Sequence, residues 1–242
     1  MTAVQPDFSG STMITDNAKA HIGKVSLGLD EGPFDPSETY TVVPGSRVEK
    51  APKLINNGTK DEFVFMRIKI PKKSVTLLYE ADDGTHDKGT PKEDLSGNQQ
   101  IFRLIADTPS APAPDNVVSA SAVSGKDIEF SYHSDTAGAD TVDGWILLDT
   151  DYSDNDYDIY SFGYNKLMKP EDQTSTLFDK VQLKSFIDAE AVGAVDIGVL
   201  CYGIQADNLK PDGVTLDLES GHFTSAELQA IYTIVKNKAN ID

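Results

Sequence analysis

Seven aspartates lie within nineteen consecutive residues, 140–158, in a stretch that contains no lysine or arginine. Hard cations such as calcium bind clusters of oxygen ligands held on a flexible loop. Calcium is therefore the one cofactor that this pattern suggests. The ligands that we predict for it are Asp149, Asp151, Asp154 and Asp156.

The same acidic stretch also has an interpretation without metal. Counted from Asp149, it matches only the opening of a helix-loop-helix calcium loop. Its sixth position is Asp154 instead of glycine, and its twelfth is Tyr160 instead of glutamate. The alternative is a solvated hairpin tip between strands at residues 145–148 and 159–162. Both interpretations remain open at this stage.

Other groups that could catalyse a reaction lack a suitable arrangement. No two of the four histidines stand three or four residues apart, the spacing that places two zinc ligands on one helical face. The single cysteine, Cys201, lies in an apolar strand pattern, where burial blunts a thiol nucleophile. No phosphate-binding loop or nucleophile elbow is present. We therefore predict that the protein is not an enzyme and has no catalytic residues.

Aromatic residues accompany the aspartates, and a ring platform for glycan is a second binding hypothesis. On strands every second side chain points inward, so we expect about half of these rings to lie in the core. The residues concerned are Trp145, Tyr152, Tyr157, Tyr160, Phe162 and Tyr164.

The net charge and the hydrophobic pattern of the chain exclude some classes of binding partner. The 242 residues include 21 Lys and Arg against 39 Asp and Glu, a formal net charge of −18 at pH 7. This charge argues against nucleic acid and anionic membranes as partners. No apolar run approaches the roughly 18 residues that a membrane-spanning helix needs. We predict no nucleic-acid partner and no membrane span.

Strand patterns dominate the chain until its last twenty residues. Residues 63–70 begin as a buried run and end in clean alternation, and about ten such strands are separated by turn residues. Thr224 and Glu227 form a capping box before apolar residues at helical spacing, which predicts a helix over 224–238. We predict an all-β fold: a jelly-roll-like two-sheet sandwich with peripheral loops and a C-terminal helix.

The strand patterns also suggest a domain organisation. They resume on both sides of the irregular segments 81–98 and 107–116 without a change of composition. We therefore predict one β-sandwich domain over residues 21–242, which includes the C-terminal helix. Residues 1–20 form a separate N-terminal segment.

The order of these motifs resembles the TasA/camelysin family of exported bacterial biofilm-matrix and cell-surface proteins. The resemblance includes the strand at residues 25–31, the Pro44-Gly45 turn, a strand ending in Asn56-Asn57-Gly58, and a strand with Arg67 before alternating aliphatics. Later segments recur in the same order, at residues 144–165, 176–181 and 197–206. The segments 81–116 and 207–221 are not part of the family pattern.

What the resemblance implies is an extracellular structural protein. Such a protein would be secreted or held at the cell surface after removal of a signal peptide that this sequence does not contain. Family members polymerise into fibres by donor-strand complementation, which implies self-association into filaments, with matrix or cell-wall components as further partners. The candidate donor strand lies within residues 1–20, at residues 4–15. Its apolar anchors are Phe8, Met13 and Ile14.

Two alternatives to the fibre subunit remain. Camelysin-like members have been described as metallopeptidases, although no zinc-ligand spacing supports that activity here. The other is a surface module that binds calcium through the aspartates or glycan through the tyrosine-rich hairpin.

Overall fold

The structure is a computed structural model and describes residues 3–4, 25–35, 43–82, 84–92, 95, 98–107, 116–119, 129–133, 143–187 and 195–241. Within these ranges the chain forms fifteen strands and one helix. The elements are β1 (Ala3–Val4), β2 (Leu27–Asp30), β3 (Arg47–Glu49), β4 (Lys53–Asn56), β5 (Glu62–Lys73), β6 (Thr76–Leu77), β7 (Gln99–Gln100), β8 (Phe102–Ile105), β9 (Asn116–Ser119), β10 (Glu129–Tyr132), β11 (Trp145–Asp151), β12 (Tyr157–Tyr164), β13 (Lys180–Leu183), β14 (Phe186–Ile187), β15 (Gly198–Gln205) and α1 (Ser225–Ala239).

The larger layer is a six-stranded sheet built around β5. Its strand order is β1-β15-β5-β12-β11, and β7 pairs with the far end of β5. The partners of β5 on both sides, β15 and β12, are antiparallel to it. At one edge β11 pairs with β12 and its register shifts between Leu147 and Asp149. At the other edge β1 runs parallel to β15.

The second layer consists of short strands. A three-stranded sheet has the order β3-β13-β8, and three further pairs are β10-β9, β2-β4 and β14-β6. β10 lies beside β8, where the Ala106 N–H donates to Ser131 Oγ at 2.9 Å. A continuous hydrophobic core that includes Met66, Trp145 and Phe178 fills the space between the two layers. The predicted two-layer all-β sandwich is therefore confirmed.

The residue pattern of β5 follows from what covers each of its faces. Val64 and Met66 point into the core between the layers, whereas Phe63 and Phe65 point to the opposite face, where α1 packs. Because both faces are covered there, the sequence is a continuous apolar run. Further along, Arg67 and Lys69 take the outer positions, and clean alternation returns.

Helix α1 begins where the capping box predicts. Thr224 is the N-cap, its hydroxyl accepts from the Glu227 N–H, and the Glu227 carboxylate accepts from the Thr224 N–H. Its buried face packs on the large sheet, where the Tyr232 ring lies 5.4 Å from the Phe65 ring. The Tyr232 hydroxyl also donates to Ser161 Oγ of β12 at 2.7 Å. The C-terminal helix is thus confirmed as an outer cover of the sheet.

Residues 176–181, a segment of the family pattern in which the sequence also predicts a strand, form a regular strand only from Lys180 on. The Leu177 N–H bonds to the Pro52 carbonyl at 2.9 Å, whereas the Asp179 N–H bonds to the Ile105 carbonyl at 2.9 Å. The chain therefore changes partner between these two residues, and the regular strand β13 begins only at Lys180. Pattern alone does not reveal this change, because the sequence does not show which strand each backbone N–H bonds to.

Candidate functional site

The edge of the large sheet at β15 is the place where the N-terminal segment meets the body of the protein. Ala3 and Val4 pair in parallel with Val199 and Leu200. This ladder spans two of the eight residues of β15. Parallel pairing is slightly weaker per residue than antiparallel pairing, and a two-residue strand has little stability of its own. The pairing of β1 with β15 therefore contributes little stability compared with the longer pairings inside the large sheet.

The predicted donor anchors cannot be placed at this edge. Phe8, Met13 and Ile14 lie outside the described residues, as does most of the predicted donor strand 4–15. Of that segment only Val4 is described, and it lies in the ladder with β15. The structure therefore places the beginning of the predicted donor strand at a sheet edge, and the anchors remain a prediction.

Beside β15, strand β2 crosses close to the large sheet. A Cβ atom at Gly203 would lie 2.8 Å from Glu62 Oε2 and 3.1 Å from Leu27 Cδ1, so glycine allows the close approach. The Glu62 side chain is fully buried between the layers, and neither carboxyl oxygen has a hydrogen-bond partner among the described residues. Burial raises the pKa of Glu62 from 4.5 to about 8. This end of the sandwich therefore holds a protonated acid at neutral pH.

The four predicted calcium ligands do not converge in the structure. Asp149 forms an ion pair with Lys236 of α1 at 3.0 Å, and Asp151 Oδ1 accepts from the Ser153 N–H at 2.8 Å. Asp154 Oδ1 accepts from the Asp156 N–H at 2.8 Å, which closes the turn of the hairpin. Across the ranges that the structure describes, no group of three or more His, Cys, Asp or Glu could hold a metal ion. Calcium binding by these residues stays a prediction.

A lysine that sequence reasoning missed lies inside the acidic hairpin. Lys72 of β5 forms a buried ion pair with Asp158 at 3.2 Å, and its ammonium also donates to the carbonyl oxygens of Tyr152 and Asp154. These carbonyls and this carboxylate are the kind of oxygen that a hard cation would use. An ammonium of the protein itself therefore occupies the centre of the loop.

The aromatic residues of this hairpin mostly face the core. Trp145, Tyr160, Phe162 and Tyr164 are all buried between the layers. Tyr152 and Tyr157 are partly exposed. Four of the six rings are therefore in the core, more than the half that strand alternation predicts, and these four do not contribute to a glycan platform.

An open pocket of about 550 Å³ lies on the second layer and is lined in part by His133, Asp107, Asp179 and Lys180. His133 Nε2 lies 2.7 Å from Asp179 Oδ2, and Lys180 pairs with Asp107 at 2.5 Å. The Thr176 hydroxyl contacts Asp179 at 3.4 Å instead of the imidazole. The histidine–aspartate pair thus ties the end of β10 to the start of β13.

A second buried ion pair joins two strands of the second layer, β2 and β3. Lys50, directly after β3, donates to Glu31, directly after β2, and both side chains are almost fully buried. The Phe34 ring covers the ammonium, with its centroid 4.1 Å from Lys50 Nζ. Burial lowers the pKa of Lys50, and the Glu31 carboxylate only partly opposes that effect. The sequence offered no signal for this pair because its members are 19 residues apart on different strands.

No helix among the described residues is long and apolar enough to cross a membrane. Comparisons of the chain with models of protein families, with curated proteins and with solved structures find no match.

Proposed function

We propose that this protein is an extracellular structural protein of the TasA/camelysin kind, a biofilm-matrix or cell-surface fibre subunit that polymerises by donor-strand complementation. The observation that supports it best is the parallel addition of Ala3–Val4 to the edge strand β15. An N-terminal segment that adds to its own sheet can add in the same way to the sheet of another copy.

Strand addition explains how such a contact would repeat from one copy of the protein to the next. A sheet edge carries backbone N–H and C=O groups that an incoming strand can satisfy, and alternate side chains of that strand supply further contact. When the donor is one end of a molecule and the acceptor lies elsewhere on it, the contact is head-to-tail and does not close. Repetition of such a contact produces a filament.

The charge of the protein sets the conditions for assembly. Each copy carries a formal net charge of −18, so neighbouring copies repel one another. Salt shortens the range of this repulsion, to about 8 Å at physiological ionic strength. We therefore expect filaments to form more readily as salt is added, and a cationic matrix or cell-wall component to favour them.

Truncation tests the role of the N-terminal segment. Removal of residues 1–15 should abolish the filaments seen by negative-stain electron microscopy, while circular dichroism still reports a folded β protein. A truncated protein that polymerises as well as the full chain would refute the donor assignment.

Cysteine pairing tests the register of the strand addition. Val4 and Leu200 are opposite each other, so filaments of a Val4→Cys, Leu200→Cys variant should give a ladder of disulfide-linked multimers on a non-reducing gel after oxidation. A matched control, Val4→Cys with Gln205→Cys, places the second thiol out of register. After oxidation it should give no disulfide-linked multimers on the same gel. If oxidation traps only monomers with an internal disulfide, the strand belongs to its own subunit and the proposal fails.

A further inference from the structure

The buried pair of Lys50 and Glu31 has the arrangement of two reactants in contact. Lys50 Nζ donates directly to Glu31 Oε1, and exposed side-chain fractions of 0% and 6% show that water is largely excluded from both groups. Backbone bonds hold the two segments in place: the Ala51 N–H donates to the Glu31 carbonyl at 3.1 Å, and the Lys50 N–H donates to the Asp179 carbonyl at 2.9 Å. The amine and the carboxyl group therefore have little freedom to separate.

The surroundings of the pair disfavour charge. The Phe34 ring covers the ammonium, and the Cys201 thiol is near enough to interact with both groups. Burial raises the pKa of Cys201 to about 12, so that thiol stays uncharged. A buried ammonium and carboxylate suffer a large desolvation penalty that their attraction does not always offset. Conversion of both ions to neutral groups would relieve that penalty.

We propose that Lys50 and Glu31 condense to an intramolecular amide, a covalent isopeptide cross-link between the ends of β3 and β2. The ammonium first passes one proton to the carboxylate, which leaves a neutral amine and a neutral carboxylic acid. Lys50 Nζ then attacks Glu31 Cδ to form the new C–N bond. A second proton moves from that nitrogen to the hydroxyl oxygen, the C–O bond breaks, and one water molecule leaves. The reaction involves no oxidation or reduction and needs no co-reactant.

Two physical factors favour this condensation inside the fold. Fixed reactants in near-attack geometry reach effective molarities of about 10⁵–10⁸ M. In bulk water, solvation of the ammonium and the carboxylate favours the uncondensed ions, and burial removes that solvation. The lowered pKa of Lys50 acts in the same direction, because the neutral amine is the nucleophile. The cross-link does not depend on the proposed fibre function.

Intact-mass spectrometry of the full-length denatured protein tests the proposal. The measured mass should be lower than the sequence mass by one water molecule. Tryptic digestion should join residues 25–47, which contain Glu31, to residues 48–53, in which acylated Lys50 resists cleavage. A native mass equal to the sequence mass, with residues 48–50 recovered as a free peptide, overturns the proposal.

Controls separate the cross-link from other losses of water. An aspartate–glycine sequence such as Asp212-Gly213 can lose one water by closing to a succinimide, and a deficit that maps there overturns the proposal. Lys50→Met removes the nucleophile and should restore the full mass. Lys53→Met is the matched control, because Lys53 pairs with Asp30 on the exposed side at 3.1 Å, and it should retain the deficit. A deficit that survives in Lys50→Met refutes the assignment.

Discussion

Replacing Glu62 with glutamine tests how the sandwich tolerates a buried acid. The native carboxyl group is fully buried without a hydrogen-bond partner in the described structure, and burial raises its pKa from 4.5 to about 8. Below pH 4.5 the acid is protonated in both the folded and the unfolded chain, so its contribution does not change. Between pH 4.5 and 8 only the unfolded chain releases the proton, and the free energy of unfolding falls as pH rises.

The size of this change in the free energy of unfolding follows from the shift in the pKa of Glu62. Each pH unit in this window lowers the free energy of unfolding by about 1.4 kcal/mol, so the loss at pH 7 amounts to about 3 kcal/mol. Glutamine has nearly the shape of the protonated acid but cannot ionise. Glu62→Gln should therefore match the native protein near pH 5 to within about 1 kcal/mol and exceed its stability by about 3 kcal/mol at pH 7.

Urea denaturation at pH 5, 6, 7 and 8 measures this difference, provided that the denaturant slope m is the same for both proteins. The exposed Glu219 offers a matched control, and Glu219→Gln should change stability little at every pH. A gain in Glu62→Gln that is no larger at pH 7 than at pH 5 would show that the buried acid is not held in its neutral form.

Three further predictions concern the acidic hairpin and the helix. Because the Lys72 ammonium competes with calcium for the same oxygens of the hairpin, added calcium should leave the Tm unchanged, and a calcium-dependent rise would support the predicted calcium site. Asp158→Asn leaves that buried ammonium without its carboxylate and should lower the free energy of unfolding by about 3–5 kcal/mol. Asp207→Asn, which breaks the exposed pair with Lys60, should lower it by about 1 kcal/mol at most. Equal effects of the two variants in urea denaturation would contradict the burial argument. Thr224→Ala removes the N-cap and should lower the free energy of unfolding by about 1 kcal/mol, whereas Thr233→Ala inside the same helix should not, and calorimetry that shows no difference would contradict the cap.

The sequence was sufficient where the structure is governed by local chemistry. The capping box of Thr224 and Glu227 placed the helix because its bonds join residues three apart. The change from an apolar run to alternation after Met66 marked the point where the outer cover of β5 ends. Both features depend on near neighbours along the chain, which a pattern can capture.

The sequence was insufficient where distant segments meet. The sequence of the acidic stretch does not point to Lys72, which lies 68 positions before Asp140 and enters the loop only because β5 pairs with β12. The pair of His133 and Asp179, and that of Glu31 and Lys50, likewise depend on how strands are placed side by side. Charge pairs across a sandwich leave no periodic trace, since one residue on each strand is enough to form them.

The parallel pairing of β1 with β15 bears on the polarity of a filament built from this contact. A donor that entered each acceptor in this direction would give all subunits one orientation. One end of the filament would then carry a β15 edge without a donor, and the other end an N-terminal segment without an acceptor. Because these ends differ chemically, they would elongate at different rates. A preformed seed marked with gold should therefore acquire a long extension on one side and a short one on the other.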